Sequence, residues 1–143
     1  MLRQNAGMRA RSLSPWIAAA ADIAVLVVFV VIGRRTHHSG SYGAGFFRVL
    51  WPFAVGLGAG WAISKSWRDP LSFGRAIVAW AITVCLGVAL RVGVEGNAFR
   101  PSFTVVAFVF IGAGMLGWRA VVVAVRSTRE RRDAGSRGSV RQR

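Results

Sequence analysis

The chain has 143 residues, with 19 Lys+Arg against 5 Asp+Glu and a formal charge of +14. Yet 54% of it is hydrophobic and its mean hydropathy is +0.47. This composition excludes a disordered basic tail protein, a collagen-like chain and a disulfide scaffold, and a soluble basic domain would not be so apolar.

A basic segment, 1–15, carries Arg3, Arg9 and Arg11. Ser14-Pro15 then reads as the N-cap and first residue of a helix. Four apolar stretches follow, over about 16–33, 46–64, 73–94 and 102–125. At about 1.5 Å per residue each can cross a hydrocarbon layer of about 30 Å. Their apolar residues run all round the helix, as in Ile23–Ile32 and Phe103–Ile111, and not along one face. The first stretch reads as a retained helix and not a cleaved leader, because Arg34-Arg35 follows it at once and Asp22 lies within it. His37–Gly45 is a Ser/Gly loop. Pro52 falls early in the second stretch, where a membrane helix tolerates it with a kink. Asp69-Pro70 is a turn, Ser72 can cap the third helix, and Gly96-Asn97 to Pro101-Ser102 leads into the fourth. Residues 126–143 read as a frayed helix end passing into a disordered basic tail.

The expected fold class is therefore all-α, a bundle of four transmembrane helices. Four spans put both termini on one side, together with the loop between helices 2 and 3. Most of the 19 basic residues fall on that side. The positive-inside rule makes it the cytoplasm and makes the protein a multi-pass component of the plasma membrane. The arginines of the tail decide this orientation. They would also hold anionic headgroups. No aromatic residues interleave with them, so nucleic acid is not an expected partner.

Asp22 is the sharpest functional signal. It lies about seven residues, or roughly 10 Å, into helix 1. Arg119 lies roughly 9 Å from the inner end of helix 4, so the two share a depth. An acid deep in a bilayer normally faces protein or water, and an Asp22–Arg119 ion pair answers both costs. Such a pair fixes helix register or, in the sharper reading, forms a proton or ion site.

Arg34, Arg35, His37, His38, Arg48, Arg91, Glu95 and Arg100 all map to the opposite face. Adjacent histidines suit a metal only with further ligands, and Glu95 alone is a poor third. A solvated polar cluster is the expectation, with Arg91 pairing Glu95 or touching phosphate headgroups, and no metal or cofactor. Gly112-Ala113-Gly114-Met115-Leu116-Gly117 matches G-x-G-x-x-G, but it sits inside a membrane-length stretch with no strand–helix–strand unit around it. Gly112, Gly114 and Gly117 read as close-packing positions, as do Gly56 and Gly60, which are spaced as G-x-x-x-G. On this basis helices 2 and 4 are the expected intimate or self-associating pair. Both carry a Gly-Trp step, Gly60-Trp61 and Gly117-Trp118. The single cysteine, Cys85, reads as a small apolar residue. No nucleophile–base spacing or paired acids survive placement on four helices, so a non-enzyme is expected.

Asp22, Gly33-Arg34-Arg35 with His37-His38, Trp51-Pro52-Phe53 with Gly60-Trp61, Arg91, and Gly117-Trp118-Arg119 occur in this order. Together they resemble the small membrane family catalogued as domain of unknown function 3054, over roughly Trp16 to Val125. The resemblance implies a four-helix membrane domain of bacteria or archaea. It brings no established activity, and it marks Asp22, Arg34, His38, Trp51, Pro52, Arg91 and Arg119 as positions to mutate first. Two functions stand: a structural or accessory protein binding lipid, a membrane partner or a second copy, and a small transporter or ion-translocating subunit using Asp22 with Arg119.

Overall fold

The computed structural model describes residues 13–35, 44–96 and 98–140. Four helices make up the fold: α1 (Pro15–Arg35), α2 (Ala44–Ser64), α3 (Phe73–Gly93) and α4 (Pro101–Val140). Among the described residues there is no strand. All four helices contain a segment long and apolar enough to cross a membrane: Pro15–Gly33, Gly45–Ser64, Phe73–Gly93 and Pro101–Arg129. The protein is a multi-pass membrane protein of four-helix architecture.

Local chemistry sets the helix ends. Ser14 caps α1 through its carbonyl, which accepts the amides of Ile17 and Ala18 at 3.0 and 3.2 Å. Ser72 occupies the N-cap of α3 with extended backbone, but its side chain makes no capping bond. The turn before it closes by a Ser72 N–H bond to the Asp69 carbonyl at 3.2 Å. At the end of α2, Lys65 adopts a positive φ of 52°. The Ser66 amide bonds back to the Trp61 carbonyl at 3.3 Å. This is a Schellman termination with a lysine where glycine is usual.

One boundary differs by several turns. The sequence places the end of the last helix near 125 and a frayed tail beyond, whereas α4 continues to Val140. Hydropathy falls at Arg126, but Arg, Glu and Ala are good helix formers, and no glycine or proline interrupts the run before Gly135.

The helices form a closed ring in chain order, with α1–α2, α2–α3, α3–α4 and α4–α1 as the contacting pairs. Helices 2 and 4 are therefore diagonal, and the expected intimate α2–α4 pair is not formed. Gly56 and Gly60 face α3 instead. A Cβ on Gly56 would stand 2.6 Å from the Thr83 carbonyl oxygen, and one on Gly60 would stand 2.5 Å from that of Ala79. Glycines four residues apart let two backbones touch, but they do not say which neighbour fills the groove. Gly112 makes room for the Trp80 ring and Gly114 for Val25, while a Cβ on Gly117 would meet open space. Gly117 is thus not a packing position within the bundle.

The core is aromatic and aliphatic. Phe29 stands at its centre, 5.6 Å from the Phe53 ring in an edge arrangement, 5.7 Å from Phe110 and 6.0 Å from Phe103. Leu26, Val30, Ile111 and Met115 extend it along the bundle axis. In lipid these contacts act through packing and not through exclusion of water. Large apolar side chains such as Ile23, Val55, Ile77 and Val109 point outward, where hydrocarbon would surround them.

Candidate functional site: a buried carboxylate held by four helix-borne donors

The structure brings Asp22 and Arg119 together. Arg119 Nη1 donates to Asp22 Oδ1 and Nη2 to Oδ2, both at 2.8 Å. This parallel fork is the strongest geometry available to an arginine and a carboxylate. Both residues are fully buried.

Two further donors complete the acid. Trp61 Nε1 donates to Oδ2 and Trp118 Nε1 to Oδ1, each at 2.9 Å. Each oxygen thus receives one indole and one guanidinium N–H. A carboxylate offers about four lone-pair sites, and all are taken. Trp61 comes from α2, Asp22 from α1, and Trp118 and Arg119 from α4. The two Gly-Trp steps of the sequence therefore converge on one carboxylate. Their shared Gly-Trp pairing was the one sequence signal for these tryptophans, whose role as donors to Asp22 composition does not reveal.

The cation is equally occupied. Arg119 Nε donates to the Pro70 carbonyl at 2.9 Å, and Nη1 also reaches the Met115 carbonyl at 2.7 Å. The guanidinium lies 4.4 Å from the centre of the Trp118 ring. Pro70 belongs to the turn between α2 and α3, so the cluster ties that turn to the two outer helices of the chain. The Pro70 carbonyl can take this role because it lies in the turn, outside the hydrogen-bond ladder of either helix. Chemically the arrangement is a neutral, internally satisfied unit. It holds a charge pair in place and leaves the carboxylate no free lone pair for a proton or a cation.

At the other end of the bundle lies a second polar group. Arg48 Nε stands 3.3 Å from Glu95 Oε2, and Trp51 Nε1 donates to Glu95 Oε1 at 2.7 Å. Arg91, expected to pair with Glu95, feels the charge of that carboxylate and also lays its guanidinium 4.6 Å from the centre of the Phe103 ring. Arg100 is exposed just before α4. His37 and His38 lie outside the described residues, as do the side chains of Arg34 and Arg35. Among the described residues no three His, Cys, Asp or Glu side chains gather as a metal would need. The G-x-G-x-x-G run lies wholly within α4.

The chain matches the family described as protein of unknown function DUF3054 over residues 19–122, and it belongs to that family. No curated protein and no solved structure matches it.

Proposed function

We propose that this protein is a non-enzymatic structural or accessory component of the plasma membrane, binding lipid or a membrane partner through its outward faces. One observation carries the reading: four donors saturate Asp22. A transport acid must exchange its partners for a proton or an ion. Here that exchange would strip two indole bonds and a bidentate guanidinium from a site without water-facing surface. The pair acts as a lock on helix register, and the lipid-facing surface is left for recognition.

Both termini face the cytoplasm in this proposal. The support is the arginine distribution, in which Arg126, Arg129 and Arg131 at the end of α4 lie on the same side as Lys65, Arg68 and Arg75. The arginine-rich end of α4 would lie against anionic headgroups. A phosphatase reporter fused after Arg143 should be inactive, and one inserted between Arg35 and Ala44 active. The reverse pattern refutes the orientation.

The function itself is tested in liposomes. Proton and ion flux should be absent both with the natural protein and with Asp22→Asn. Flux through the natural protein that Asp22→Asn abolishes would overturn this proposal and establish the transporter reading.

A further inference from the structure

An apolar furrow of about 600 Å³ runs along the seam of α3 and α4. This is within the range of small-molecule sites, about 300–1,000 Å³. Val84, Cys85, Val88 and Val92 of α3 form one wall, with Phe99 and Phe108 on the other side. Thr104 adds a hydroxyl, but it is turned onto the Arg100 carbonyl at 3.3 Å. The furrow therefore offers a polar ligand little along its length.

Its end is different. Phe99 is followed directly by Arg100, whose side chain is exposed. Arg91, in the last turn of α3, and Arg100, just before α4, flank the same connection between the two helices of the seam. Arg48 belongs to the same end of the bundle, where Glu95 is already held by Arg48 and Trp51. Three guanidinium groups and one carboxylate thus stand at this end of the bundle, leaving an excess of positive charge beside the mouth of an apolar furrow. An acyl chain fits the channel and a phosphate offsets the charge, and one molecule supplies both.

We propose that the α3–α4 furrow is a binding site for an anionic phospholipid, with an acyl chain along Val88 and Phe108 and its phosphate at Arg100. This rests on the lipid-binding reading above and names the site. The protein carries its own probe, since Cys85 is its single cysteine, is exposed, and lines the furrow.

The test uses the full chain in detergent and follows modification of Cys85 by N-ethylmaleimide. Phosphatidylglycerol and phosphatidylcholine with identical acyl chains are titrated in parallel. Phosphatidylglycerol should protect the thiol at several-fold lower concentration. Arg100→Gln should shift that midpoint about fivefold upward, the contribution of one arginine near an anionic headgroup layer. Arg100→Glu should abolish the preference. Phosphatidylcholine should act alike on all three proteins, which also reports that the variants are folded. Equal protection by the two lipids, or an unchanged preference in Arg100→Gln, overturns the site. Protection by inorganic phosphate or glycerophosphate alone overturns the lipid as occupant. None of these outcomes depends on flux, so the fate of the site is separable from that of the transporter question.

Discussion

Replacing Asp22 by Asn measures the lock directly. The amide keeps the shape of the carboxylate but turns one acceptor into a donor. Each Asp22 oxygen accepts one indole and one guanidinium N–H. Either orientation of the amide therefore sets its NH2 against two donors and loses two of the four bonds. Bonds to a charged group contribute about 1.5–3 kcal/mol each, so the loss is about 3–6 kcal/mol. Removing one partner of a buried pair costs about 3–5 kcal/mol by another route, since Arg119 stays buried and charged. Interhelical bonds in lipid are often weaker, about 0.6 kcal/mol on average, which favours the lower part of that range. The expected destabilisation is about 3–4 kcal/mol, read from steric-trapping unfolding of the purified protein in bicelles. Asp22→Leu combined with Arg119→Met should recover part of it, because an apolar pair leaves no uncompensated charge, although the Trp61 and Trp118 indoles then lose their acceptor. A cost below about 1 kcal/mol for Asp22→Asn, with no rescue in the double variant, would refute the four-donor account.

Three further outcomes follow from the geometry. Trp61→Phe and Trp118→Phe each remove one N–H from the carboxylate and should each cost about 1.5–3 kcal/mol in the same unfolding assay, with little effect of either change in an Asp22→Leu/Arg119→Met background. Gly60→Ala should destabilise by about 1–3 kcal/mol, because its methyl would meet the Ala79 carbonyl at 2.5 Å, whereas Gly58→Ala should be neutral, with open space around it. Lys65→Gly should stabilise by about 0.5–1 kcal/mol by relieving the left-handed backbone, leaving the carbonyl that Arg68 and Arg75 use in place, and thermal denaturation in detergent would register it.

The spans and the ion pair were legible because both reduce to distance along a helix axis. Run length against bilayer thickness places α1 to α3 closely. The same rise per residue brings Asp22 and Arg119 to one depth. What lies around the axis is a different matter. Gly56 and Gly60 announce a close contact, but its direction depends on the order of helices in the ring. Trp61 and Trp118 stand out in the sequence only by the glycine before each, and it is the packing that turns their indole nitrogens inward onto Asp22. Glu95 meets Arg48 and Trp51 of α2 as well as the charge of Arg91, and those partners across the bundle are not revealed by spacing along the chain. The length of α4 escaped for another reason: hydropathy reports where the solvent changes, and helical propensity continues past that point.

The partners of Asp22 are spread along the chain, and synthesis meets them in a fixed order. Trp61 follows Asp22 by 39 residues, Trp118 by 96 and Arg119 by 97. At about 5–20 residues per second, Asp22 waits about 2–8 s for its first donor and about 5–20 s for its counter-charge. A nascent chain of three helices therefore carries an acid in the bilayer that no arginine yet balances. Only the arrival of α4 closes the ring and completes that carboxylate, so a chain interrupted before Trp118 is left with an unneutralised intramembrane charge. That charge distinguishes an unfinished molecule from a finished one, whatever the finished one does.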